Sequence, residues 1–138
     1  MNVGSFWLVT DRVAVYVDGF PACRVAVRRA AAFAGRIYAD LVAIVPSPAM
    51  TERLPFDAAR DLREGVDTAT DLGANLLVLG PGRLHDELVA ASREACVTHL
   101  FMPVGHVSLA TRVAGTELHD RLATRLGDVD LHLVGSTE

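Results

Sequence analysis

The sequence predicts an α/β domain, a parallel sheet of five strands sandwiched between helices. Short apolar runs alternate with longer segments whose apolar residues recur every three to four positions. The runs are mostly closed by Gly, Pro or Asp. Hydrophobic residues make up 51% of the 138 residues but aromatics only 6%. Ala, Val and Leu dominate, which suits helices packed closely on a sheet buried on both faces.

The elements follow in order. Met1 to Asp11 reads as a lead-in, with Phe6, Trp7 and Leu8 available for docking, and residues 12–138 form one domain. Val13 to Val17 is a β-branched strand ended by Asp18-Gly19. Pro21 opens a helix whose apolar stripe is Cys23, Ala26, Ala30, Phe33 and Ile37. Arg24, Arg28, Arg29 and Arg36 form its solvated face. Leu41 to Val45 is the second strand, stopped by Pro46 and Pro48, and Ser47 to Phe56 is a loop. A helix from Asp57 to Leu72 turns Ala59, Leu62, Val66, Ala69 and Leu72 inward, with Gly73 as its C-terminal cap. Leu76 to Leu79 is the third strand, ended by Gly80-Pro81-Gly82. Helix three, His85 to Ala95, buries Leu88, Ala91 and Ala95. His99 to Val104 is strand four, Thr116 to Leu126 a helix with Leu118, Leu122 and Leu126 on one side, and Val129 to Val134 strand five. Right-handed crossovers place helices on both faces, and ligands of such sheets bind beyond the carboxyl ends of the strands. Asp18-Gly19, Val45 to Ser47 and the segment from Gly105 onward then surround one crevice.

Composition excludes several classes. The net charge is −4 with no basic tract, so nucleic acid is a poor partner. Two cysteines, Cys23 and Cys96, form no CxxC and read as small buried hydrophobes. No basic segment followed by an apolar one marks a signal peptide, and no apolar run approaches the ~20 residues that span a bilayer. The expected setting is the cytoplasm, without membrane insertion. The five histidines show no i,i+4 pairing and no HExxH, so they read as scattered, with no metal site. Ser108, Thr111 and Thr116 have no evident His and acid partners, so no catalytic residue is assigned and an enzyme is not expected.

The segments Val17-Asp18-Gly19-Phe20-Pro21, Arg28 to Ala34, Ala69 to Asn75, Gly115 to Leu122 and Val129 to Val134 together resemble the universal stress protein family. They are most similar to the stress-protein-like domain of KdpD sensor histidine kinases of bacterial potassium uptake. The resemblance runs from about Arg12 to Gly135. It implies a strand order of 3-2-1-4-5 and a regulatory or sensory role rather than turnover. It also implies ATP or another adenine nucleotide as ligand, with Asp18 and Gly19 near adenine and ribose and backbone at Val45 near the base. The phosphates of such ligands lie in a G-x2-G-x9-G-[ST] loop. Here Gly105 and Gly115-Thr116 match its ends, Ser108 stands at the second glycine, and the span is three residues short. His106 follows Gly105 in position to meet a phosphate, and Thr116 opens a helix whose free N–H groups suit an anion. The shortened loop offers fewer donors, which leaves a ligand-free protein-interaction module as the alternative. Expected partners are a second copy through strand five, whose Val129, Leu131 and Leu133 alternate with Asp130 and His132, and a sensor kinase or other signalling protein.

Overall fold

The computed structural model describes residues 11–19, 21–104 and 118–135. The strands are β1 (Arg12–Tyr16), β2 (Asp40–Val45), β3 (Asn75–Val78), β4 (His99–Val104) and β5 (Asp130–Gly135). The helices are α1 (Ala22–Ile37), α2 (Pro48–Thr51), α3 (Phe56–Asp71), α4 (Leu84–Glu94) and α5 (118–125). All five strands are parallel in the order β3-β2-β1-β4-β5. Each predicted strand and long helix is present, with ends moved by one or two residues where they are described.

Strand β1 is central and apolar on both sides. Val13, Val15 and Val17 join Cys23, Ala26, Val27 and Ala30 of α1 and Leu62 and Ala69 of α3 in one core layer. Ala14 and Tyr16 join Leu88, Val89 and Ala91 of α4 and Leu122 of α5 in the other. Helices α1 and α3 therefore cover one face and α4 and α5 the opposite face. Arg12 pins the lower end of β1. Its backbone N–H donates to Thr98 Oγ1 at 2.9 Å and its guanidinium to the Ala95 carbonyl at 3.0 Å, beside Asp40 at 3.6 Å.

Several expectations need correction. The Ser47 to Phe56 loop contains α2, because Ser47 Oγ accepts the Met50 N–H at 3.3 Å and Pro48 suits the first helical turn. Leu72 is exposed rather than core, since α3 ends before it turns inward. Cys96 is exposed rather than buried. It occupies the left-handed position that closes α4, with φ +56°. The Val97 N–H returns to the Ser92 carbonyl at 2.9 Å around it. Tyr38 closes α1 in the same way with φ +58°, and Gly73 closes α3 as expected. The Phe6-Trp7-Leu8 docking expectation lies outside the described residues.

Glycine lets α3 come close. A Cβ on Gly65 would stand 2.8 Å from Cys23 Sγ and 3.0 Å from Val17 Cγ1, both fully buried. Gly65→Ala is expected to lower stability by about 1 kcal/mol or more, overpacking outweighing the gain in helix propensity. Tyr38→Gly is expected to raise it by about 1 kcal/mol, because Tyr38 is 93% exposed and in a conformation that L residues disfavour. Urea unfolding reads both signs.

Candidate functional site

The candidate site follows from the strand order. β1 leads to α1 on one face, while β4 leads toward α5 on the other. Helices α1 and α5, which follow β1 and β4 in the chain, lie on opposite faces of the sheet, so the strand order reverses between these two strands, the place where sheets of this class bind ligands. Asp18 stands half-buried just beyond β1. The Val17 N–H donates to the Ile44 carbonyl at 2.8 Å and closes the β1–β2 ladder immediately beneath it. Asp18, Gly19 and Val45 are thereby brought together at the tops of adjacent strands.

Each has a defined local role. The Val45 carbonyl accepts the Leu79 N–H at 2.9 Å, which extends the β2–β3 ladder to the top of β2. Gly19 is needed for packing. A Cβ there would lie 2.9 Å from the Cβ and carbonyl oxygen of Ala58, so α3 forms a wall directly behind the crevice. Pro46 and Ser47 are buried, and the Ser47 hydroxyl is held by α2. The remaining sequence-derived site residues, Gly105, His106, Ser108, Gly115 and Thr116, lie outside the described residues.

Electrostatics make this end of β1 acidic and its thiol inert. Burial, then the Asp18 carboxylate, pushes the Cys23 thiol up to about 12, and a hydrogen bond with the Asp18 backbone offsets part of this. Burial and the same carboxylate also push the Tyr16 phenol up. Cys23 therefore stays a protonated thiol at neutral pH and is not a nucleophile. Among the described residues, no group of three or more His, Cys, Asp or Glu side chains gathers for a metal ion. No described helix is long and apolar enough to cross a membrane.

Two features lie beyond what sequence spacing showed. His99 and His132 are not scattered, because strand pairing sets Phe101 opposite His132 and brings His99 Nδ1 within 3.2 Å of His132 Nε2. His132 stacks on Phe101 with centroids 4.2 Å apart, Phe33 of α1 packs against both imidazoles, and Asp11 and Asp130 flank His99 at 3.8 and 3.5 Å. Only the strand order could have revealed this pair. The second feature is a cavity of about 270 Å³ between α4 and α5, lined by His85, Asp120, Arg121, Thr124 and Arg125. Arg125 donates to Asp86 at 2.9 Å and holds that carboxyl below the usual range. Neither feature belongs to the crevice.

Comparison with solved structures identifies the fold. A universal stress protein solved in complex with cAMP is 26% identical, covering 93% of this chain and 98% of its own, with a TM-score of 0.65. Protein Rv1636 from Mycobacterium tuberculosis is 26% identical over 92% of this chain and 96% of its own, with a TM-score of 0.53. A universal stress protein from Archaeoglobus fulgidus in complex with dAMP is 12% identical over 92% and 99%, with a TM-score of 0.59. No protein-family model matches the sequence, and no curated protein matches it at a significant level. The five-stranded parallel sheet, in the order the resemblance implies, is the universal stress protein fold.

Two partly buried histidines, His132 and His119, make stability depend on pH. Burial, then the neighbouring His99, lowers the His132 pKa below its free value of 6.5, with Asp130 opposing, and burial lowers His119 likewise. The unfolded chain therefore binds more protons as pH falls through that value, and stability falls with it. Thermal melts are expected to show a falling midpoint below about pH 6.5. The decline should be shallower in His132→Asn, whatever that variant's absolute stability.

Proposed function

We propose that this domain is a non-catalytic regulatory module that binds an adenine nucleotide in the crevice above β1, β2 and β4. The observation that carries the reading is the placement of Asp18 at the top of the central strand, beside the reversal of strand order. A carboxylate there accepts hydrogen bonds from ribose hydroxyls, and the upper backbone of β2 lies one strand away to meet a base edge. The similarity to a universal stress protein solved with cAMP, at 26% identity over 93% of the chain, supports a nucleotide as ligand. The loop from Gly105 to Thr116 would then contribute phosphate contacts. Because it is short, a nucleoside monophosphate or cyclic monophosphate suits it better than a triphosphate.

The wider setting we propose is a cytoplasmic one, with the module passing a nucleotide or stress signal to a sensor kinase or other signalling protein, as in KdpD-type potassium or osmotic signalling. The short, serine-bearing loop favours a second reading, a module that has lost its ligand and acts through protein contacts.

Calorimetric titration with ATP, ADP, AMP and cAMP tests the binding claim. Micromolar affinity for at least one of them is expected. Asp18→Asn should weaken it about tenfold or more, the loss expected of a charge-assisted hydrogen bond, and Gly115→Trp should abolish it. Absence of heat at millimolar ligand with a folded chain favours the second reading.

A further inference from the structure

The imidazoles of His99 and His132 meet at the amino ends of the strands, opposite to the crevice. β4 begins with His99 and β5 with Asp130, and the register sets these two side by side and Phe101 beside His132. By alternation all four side chains stand on the α1/α3 face, where Phe101 and Val134 join the core.

The two rings are held in place by aromatic packing. His132 lies flat on Phe101, with centroids 4.2 Å apart and planes 3° from parallel. Phe33 of α1 meets His99 edge-on at 4.7 Å and His132 at 5.4 Å. The His99 side chain is 13% exposed, while His132 is half-buried on the edge strand, which gives a small ion a way in.

This packing brings two ring nitrogens together and sets a carboxylate beside each nitrogen of His99. His99 Nδ1 and His132 Nε2 are 3.2 Å apart. Two nitrogens bound to one tetrahedral Zn²⁺ at about 2.0–2.1 Å stand about 3.3–3.4 Å from each other. Asp130 Oδ2 lies 3.5 Å from the same Nδ1 and adds negative charge there. Asp11 Oδ1 lies 3.8 Å from the other nitrogen of His99, Nε2. A carboxylate on that side favours the tautomer with its hydrogen on Nε2, which leaves the Nδ1 lone pair turned toward His132. Metal-ligating histidines ordinarily have such an acceptor behind them.

We propose that His99 and His132 form a site for one divalent transition-metal ion such as Zn²⁺, with Nδ1 of the first and Nε2 of the second as its two protein ligands. Asp130 supplies charge next to the ion, Asp11 orients His99, and water completes the coordination. Two imidazoles favour Zn²⁺, Cu²⁺, Ni²⁺ or Co²⁺ over Mg²⁺ and Ca²⁺, which take oxygen ligands. On binding, the His132 proton moves from Nε2 to Nδ1. Both facing nitrogens then present lone pairs, and the neutral pair releases no proton. The ion joins β4 to the edge strand β5, and the site stands independently of the nucleotide reading.

The test is titration of the full chain with Zn²⁺ at neutral pH, read by calorimetry and by long-range ¹H–¹⁵N spectra of the imidazoles. One ion per chain at micromolar affinity is expected, with the melting midpoint rising as the site fills. The ring nitrogens of His99 and His132 should shift together, and Mg²⁺ should have no effect. His99→Gln and His132→Gln should each abolish binding. Asp11→Asn, which leaves both ligands in place, should weaken it about tenfold, and His119→Gln should leave it intact. The spectra of the parent chain decide the matter even where a histidine variant fails to fold. No heat and unmoved ring signals at millimolar Zn²⁺ overturn the proposal. Binding that survives loss of both histidines, or that shifts the ring nitrogens of His85 or His119 in place of these two, also overturns it.

Discussion

Everything else in this domain depends on the central strand being apolar on both faces. Val13, Ala14, Val15, Tyr16 and Val17 are all buried, and the Tyr16 phenol is the one polar group among their side chains. A parallel strand of that composition has to be covered on both sides, which assigns one helix pair to each face. It also has to lie inside the sheet, between β2 and β4. The polar residues are pushed to its two ends. Arg12 is tied into the base of the sheet, while Asp18 emerges at the top, where the strand order reverses. The position of the acidic group in the crevice is thus a consequence of how the core is built.

The crevice inherits its shape from the same packing. Gly19 and Gly65 bring α3 against the top of β1 and against Cys23, so the wall behind Asp18 is close and has little room to move. The thiol beneath it is protonated and buried, and Ser47 is occupied in capping α2. Among the described residues, this end of the sheet presents the Asp18 carboxylate, backbone polar groups and a firm wall. Under the proposed function, those are the means by which the domain would read the shape and hydrogen-bonding edge of a small molecule.

Much of this was legible in the sequence because each apolar run is punctuated. Asp18-Gly19, Pro46, Gly73 and Gly80-Pro81-Gly82 mark ends that the structure keeps within a residue or two. What escaped depends on long-range placement. Whether His99 meets His132 is decided by the register of β4 against β5, which spacing along the chain does not contain. Whether Leu76 and Val78 are covered depends on β3 being an edge. Cys96 was misread because hydrophobic composition says nothing of a left-handed closing turn, and Tyr38 shows that a residue other than glycine can hold one. The strand ends alone were enough to place Asp18 and Val45 at the tops of β1 and β2. Gly19 could not be divided between ligand contact and helix approach until Ala58 was seen behind it.

Nuclear magnetic resonance of the ¹⁵N-labelled chain, titrated with AMP and cAMP, tests the central claim most directly, because it locates binding as well as detecting it. The account predicts that the amide shifts gather at Asp18, Gly19, Val45 and Ser47 and fall away toward Arg12 and Asp40 at the opposite end of the strands. Shifts centred instead on the His85–Arg125 cavity would contradict it, as would a spectrum unchanged at millimolar nucleotide.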